Sequence, residues 1–228
     1  MTPTVQARAE EMIARHGFLG VPAETFELAG RRQLIALLEE GLSPESKVLD
    51  IGCGCLRAAY WLIHFLAPGC YHGIEPAPRR VECGLRCLFT PEELRSKQPR
   101  FDFNPHFDSS VFGVRFEFFL AGSIWTHASK RQIATMLDSF LRDSTSSSVF
   151  LTSYLAAESA RDDHQGDQWV GTSHESETPG VIRHSLAWIM EQCRRRALRV
   201  EELQTPGFDG QSWLRIQRDE GAVAAPLR

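Results

Sequence analysis

The chain has 228 residues, 43% hydrophobic and 24% charged, with six cysteines and a formal net charge of −4. Such a length and mixture describe one globular domain with a substantial core. The acidic balance argues against a nucleic-acid partner, which needs clustered Lys and Arg; the only dense basic run, Arg194, Arg195 and Arg196, reads as a solvated helix end. The longest apolar stretch, around 58–68, is broken by His64 and is shorter than the ~20 residues of a membrane helix, so no membrane partner is expected. The cysteines are diluted in a long chain without a leader-like segment, which points to a reducing, cytoplasmic setting.

Val5, Ala9, Met12 and Ile13 fall at helical spacing and meet Gly17, predicting a first helix. A second follows Pro22, with Leu34, Leu37 and Leu38 on one face and Gly41 beyond its end. The pattern then alternates: a strand at 48–51, a helix from Leu56, the Pro68-Gly69 turn, a strand at 71–74 and a helix from Arg79 to about Leu88. That βαβ rhythm implies a parallel sheet. "TPEE" at 90–93 has the form of a capping box with proline at the first helical position, and a strand at 101–103 should follow it. "FEFFLAGS" reads as an apolar strand ending near Ala121. After it, Ile133, Met136, Leu137, Phe140 and Leu141 make one helical stripe, followed by a strand at 149–154.

The segment 156–180 breaks the rhythm with Asp162, Asp163, His164, Gly166, Asp167, Gly171 and Pro179, and reads as a long polar insertion, either a lid over a ligand at the strand ends or a solvated loop. Beyond it Leu186, Ile189, Met190 and Cys193 predict a helix, and strands are expected at 200–203 and 212–216. The expected organisation is a single domain over 1–218, with helices in 1–41 and a frayed tail at 219–228.

The stretch "KVLDIGCGCLR" at 47–57 offers three chemistries. Cys53-x-Cys55 lacks the C-x-x-C spacing of a zinc site, and Cys83 with Cys87 reads more simply as small buried hydrophobes, so no metal is expected. A dinucleotide site needs G-x-G-x-x-G, and here position 57, where the third glycine allows close helix packing, is arginine. An acidic residue, Glu75, does end the next strand, so an NAD-dependent oxidoreductase stays as the weaker reading.

"VLDIGCG" followed by "YHGIEP" resembles the first motif and acidic ribose loop of class I S-adenosylmethionine-dependent methyltransferases, and "FEFFLAGSIWTHASK" resembles their fourth-strand loop. The resemblance covers about 26–218. It implies an α/β, Rossmann-like, seven-stranded and mostly parallel sheet with an antiparallel last strand, helices on both faces and an N-terminal helical cover. It also implies S-adenosylmethionine as cofactor. Gly52, Cys53 and Gly54 would form the turn where backbone approaches the cofactor, and the following helix N-terminus would favour its carboxylate. Asp50 would hold the ammonium and Glu75 both ribose hydroxyls, while Asp102 or Asn104 would meet the adenine. Ala121 and Ser123 would lie where the methyl group points, and Arg57 either forks onto the carboxylate or is a surface arginine.

Methyl transfer is an in-line displacement, so positioning supplies much of the catalysis and a base is needed only if the acceptor must lose a proton. His127 is the candidate base, beside Trp125 and just past the fourth strand; the other reading is a helix-terminal histidine without a catalytic role. His72 and His64 read as packing histidines. Trp125, His127 and the insertion's Trp169 are the candidate contacts to a small-molecule acceptor, methylated on oxygen or nitrogen. The alternative from another class is a catalytically silent methyltransferase-fold subunit that binds or regulates.

Overall fold

The computed structural model describes residues 3–17, 22–173, 175–206, 209–219 and 221. They form two compact units, Met1–Pro105 and His106–Arg228. Seven strands make one sheet in the order β3-β2-β1-β4-β5-β7-β6.

The first unit holds α1 (Val5–His16), α2 (Phe26–Glu39), β1 (Val48–Ile51), α3 (Arg57–Phe65), β2 (Tyr71–Ile74), α4 (Pro78–Leu88), α5 (Pro91–Lys97) and β3 (Arg100–Asp102). Its strands pair in parallel, Val48 with Tyr71 and His72 with Arg100. The N-terminal helices cover this unit, α1 packing on α4 and α2 on α3. Gly17 ends α1 at φ 78, and Thr90 with Glu93 forms the expected reciprocal capping box on α5.

The buried face of α2 differs from the expected one. It runs through Phe26, Ala29, Gly30, Gln33, Ala36 and Leu37, whereas Leu34 is half-buried and Leu38 is 39% exposed. Gly30 is the cause. A Cβ there would run into the Arg57 carbonyl oxygen and come within 2.9 Å of the Trp61 ring, so α2 turns its smallest residue toward α3. Spacing alone cannot see which face the partner helix needs.

The second unit holds a short 3₁₀ turn (Ser109–Phe112), β4 (Phe116–Ala121), α6 (Lys130–Asp143), β5 (Ser144–Tyr154), α7 (Leu186–Arg195), β6 (Leu198–Pro206) and β7 (Ser212–Arg218). β4 and β5 are parallel; β7 runs antiparallel to both β5 and β6. Phe119 sits at the centre of the core, edge-on to Phe116 at 5.5 Å and to Phe140 at 5.0 Å between ring centroids. Each such fully buried ring contributes roughly 1.5–3 kcal/mol. β5 begins at Ser144, five residues before the expected 149. Its hydroxyl-rich start pairs with Phe116, the register shifts between Phe116 and Phe118, and the Ser148 hydroxyl donates to the Phe116 carbonyl at 2.6 Å. Side chains thus satisfy backbone that apolar patterning misses. In α7, Ile189 and Cys193 are buried but Met190 is 52% exposed, so the apolar stripe is narrower than expected. The expected tail lies outside the described residues from 222 onward.

Candidate functional site

β1 and β2 pair with Ile51 opposite Ile74, so both strands end at one level and deliver Gly52 and Glu75 side by side. Gly52 and Cys53 each donate their amide to the Ile74 carbonyl, at 2.8 and 3.1 Å. Gly52 (φ 71) and Gly54 (φ 54) lie in the left-handed region that a Cβ disfavours, which is why this turn needs glycine. Space over Gly54 is open: a Cβ there would meet only the Gly52 oxygen, at 3.9 Å.

Glu75, 4% exposed, ties this turn down. Gly54 N–H donates to its Oε2 at 3.1 Å and Ala77 N–H to its Oε1 at 3.0 Å, while Arg80 lies 3.9 Å from Oε1. An ionised carboxylate offers about four acceptor positions, so two backbone donors leave capacity for a diol. The Glu75 amide in turn donates to the Asp102 carbonyl at 3.1 Å. Asp102 and Asn104, the two adenine candidates, form one unit: Asp102 Oδ1 accepts from both the amide and the side chain of Asn104, at 2.9 and 2.6 Å.

Asp50 lies beneath the turn, 3% exposed, and accepts from the Tyr71 hydroxyl at 2.8 Å. Burial pushes its carboxyl up to about 7 and the Glu75 charge adds to the rise, against the Tyr71 hydrogen bond and the Arg57 charge. Arg57 is itself buried in the first turn of α3, which corrects the surface-arginine reading. Gly73 makes room for this cluster, since a Cβ there would fall 2.8 Å from Cys53 Sγ and 3.1 Å from the Tyr71 oxygen. Burial raises the Cys53 thiol well above its ordinary range, reinforced by Asp50 and Glu75, and holds Cys55 up at about 12. Burial disfavours the thiolate at both positions, so neither cysteine is poised as a nucleophile.

In the second unit Ala121 is buried at the end of β4, and its carbonyl accepts from the Thr152 hydroxyl at 3.1 Å. Ser123 follows at φ 61, a strained conformation for a serine. Its amide donates to Ser153 Oγ at 2.7 Å, the Ser153 hydroxyl donates to Gln211 Oε1 at 2.7 Å, and Gln211 Nε2 donates back to Ser123 Oγ at 3.1 Å. Trp125 is fully buried and edge-on to Phe150 at 5.9 Å, which corrects its reading as an acceptor contact: the ring is spent on the core.

His127 is half-buried, its ring stacked on Trp169 of the insertion at 5.6 Å and 21°. Its Nδ1 lies 2.7 Å from the Val170 carbonyl oxygen. The insertion lies along the loop after β4, Val170 N–H donating to the His127 carbonyl at 3.0 Å and Ile182 N–H to that of Thr126 at 2.8 Å. Lys130 pairs with Asp163 at 2.6 Å, and Gln132 donates to Glu175 at 2.9 Å. Of the packing histidines, His72 is buried and held down at about 4 by burial, whereas His64 is exposed at the end of α3, stacked on Phe89.

Tyr71, Arg80, Ser153, Val170, Gly171 and Gln211 were invisible as site residues in the sequence. Only the glycine punctuation of the insertion hinted at Gly171.

Among the described residues no helix is long and apolar enough to cross a membrane, and no group of three His, Cys, Asp or Glu is placed to hold a metal. No family model and no curated protein matches the sequence. Solved structures match over most of the chain. The sugar N-methyltransferase KedS8 from Streptoalloteichus superposes with a TM-score of 0.63 at 13% identity, covering 92% of this chain and 93% of its own. DesVI from Streptomyces venezuelae gives 0.61 at 14% identity over 95% and 100%. Magnesium protoporphyrin IX methyltransferase from Synechocystis, crystallised with S-adenosylmethionine bound, gives 0.59 at 13% identity over 92% and 89%. With its strand order and antiparallel β7, the chain therefore has the fold of the class I S-adenosylmethionine-dependent methyltransferases.

Proposed function

We propose that the chain is an S-adenosylmethionine-dependent methyltransferase that modifies an oxygen or nitrogen of a small molecule, working as a single cytoplasmic domain over 1–218. The observation that supports this most is the bond from Gly54 N–H to the buried Glu75 carboxylate, which joins an open glycine turn to a charged acceptor at the adjacent strand end. That donor set suits the cofactor. Glu75 would accept from the ribose hydroxyls, Asp50 would meet the ammonium, and the α3 N-terminus with Arg57 would favour the carboxylate. Cys53 turns the loop, Asn104 held by Asp102 would face the adenine, and Ala121 and Ser123 would border the reacting end. Arg57 at the position of the third glycine disfavours the nicotinamide reading.

Bound there, S-adenosylmethionine supplies a methyl group on a positively charged sulfur. The chain's task is to orient an acceptor, exclude water and take up a proton if the acceptor carries one. His127 would take up that proton, with Trp169, stacked on its ring, as the apolar surface beside it. A small acceptor accords with neighbours that methylate a sugar and a porphyrin. The test is a screen of hydroxyl and amine acceptors with methyl-labelled S-adenosylmethionine, in which label should pass to an acceptor. Cofactor binding with no transfer to any acceptor would leave a silent binding subunit instead.

A further inference from the structure

We infer that the insertion at 156–180 completes the base: the Val170 carbonyl holds His127 in the tautomer protonated on Nδ1, with the lone pair on Nε2, and Gly171 is the positioning residue that permits it. What His127 acts on rests on the methyltransferase reading; how it is held does not.

A carbonyl oxygen can only accept, so the 2.7 Å contact between His127 Nδ1 and Val170 O requires the hydrogen on Nδ1. In the neutral ring the other nitrogen is then the basic one. An imidazole side chain in water favours the opposite tautomer, so the insertion reverses the default. Three further features hold the ring. Trp169 stacks on it at 5.6 Å, and Val170 N–H returns a bond to the His127 carbonyl at 3.0 Å. Gly171 completes the grip: a Cβ there would fall 2.9 Å from His127 Cε1 and closer still to Nδ1. Its φ of +116 is also open only to glycine, and its amide donates to the Thr178 carbonyl at 2.8 Å, which locks the segment in place. Thus no side chain is tolerated where the strap crosses the imidazole.

A histidine set this way accepts a proton and, when neutral, has none to give toward a ligand at Nε2. The acceptor class that matches is one bearing a proton on its nucleophilic atom, a hydroxyl or an ammonium in equilibrium with its amine. For a hydroxyl, the oxygen lone pair enters the new bond to carbon, the carbon–sulfur pair stays on sulfur, and the oxygen's proton passes to Nε2. The positive charge lost by sulfur ends on an imidazolium still bonded to Val170.

The experiment is ¹⁵N NMR of the imidazole nitrogens in the full chain at about pH 8, above the ordinary histidine range. The His127 signals are assigned by their loss in His127→Gln. The expected spectrum shows a protonated Nδ1 and an unprotonated Nε2; a protonated Nε2 would overturn the inference, whatever the enzyme's activity. Gly171→Ala should shift the ring toward the Nε2-protonated form. It should also lower kcat on the order of 10²-fold, the effect of misplacing a reacting group by about 1 Å. The S-adenosylhomocysteine Kd should stay within twofold, showing an intact fold. His127→Ala should lose at least about 10²-fold in kcat, part of it restored by added imidazole. An unchanged tautomer and kcat in Gly171→Ala would remove its positioning role. An Nδ1-protonated ring in a chain that transfers methyl to nothing would sink the methyltransferase reading and leave the tautomer assignment supported.

Discussion

Replacing Glu75 by alanine removes an acceptor that serves both the loop and, on the proposed reading, the ribose. The carboxylate is 4% exposed and takes the Gly54 and Ala77 amides at 3.1 and 3.0 Å. Hydrogen bonds to a charged group contribute roughly 1.5–3 kcal/mol each. Losing even one ribose bond at the low end therefore costs about tenfold in affinity, since about 1.4 kcal/mol is a factor of ten. The two orphaned amides add a stability loss of about 1.5–3 kcal/mol, smaller than their sum because a buried charge is removed with them. Calorimetric titration with S-adenosylhomocysteine, paired with urea denaturation, separates the two effects. Glu75→Gln, which keeps one acceptor oxygen, should fall between wild type and Ala in both. A Kd for Glu75→Ala within twofold of wild type, in a chain that still unfolds cooperatively, would refute the assignment and place the ribose elsewhere.

Three other outcomes follow from the same geometry. Gly54→Val places a β-branched residue at φ 54 and fills the open space above the turn, so S-adenosylhomocysteine affinity should fall more than tenfold in calorimetry while the chain stays folded. Asp50, raised to about 7, is protonated more readily folded than unfolded, so its contribution to stability is full below about 4 and is lost as pH rises through about 7. The cofactor's ammonium favours the ionised form, so affinity should rise between about pH 6 and pH 8 with proton release, detectable by titration in buffers of different ionisation enthalpy; affinity flat across that range would contradict it. Shortening 156–180 should cut turnover and acceptor selectivity yet leave S-adenosylhomocysteine affinity nearly intact, because the insertion bonds to residues 126–132, at the end where the acceptor is proposed to sit; equal activity would make it a passive loop.

What was legible in the sequence was local. The turn at 52–54 and the acid at 75 each follow a short apolar strand, and the Thr90–Glu93 capping box lies within four residues. What was not legible depends on register or on a partner surface. Tyr71 reaches Asp50 across two parallel strands only because Gly73 leaves room, and apolar patterning carries no sign of that hydroxyl. The exposure of Leu38 and Met190 depends on which helical face finds a neighbour. The Val170 carbonyl meets His127 across 43 residues of chain, through a main-chain atom that every residue type carries, so composition could mark the insertion as polar but not say what it holds. Ser123 was singled out for its place after β4, yet its left-handed backbone and its bonds to Ser153 and Gln211 come only from the fold.

The most direct measurement is calorimetric titration of the intact chain with S-adenosylmethionine, S-adenosylhomocysteine and NAD. The geometry of Asp50, Gly52, Gly54 and Glu75 predicts saturable one-to-one binding of the two sulfur compounds, weakened in Gly54→Val and Glu75→Ala, and no heat from NAD. Binding of NAD with none of S-adenosylmethionine or S-adenosylhomocysteine would contradict the account at its centre.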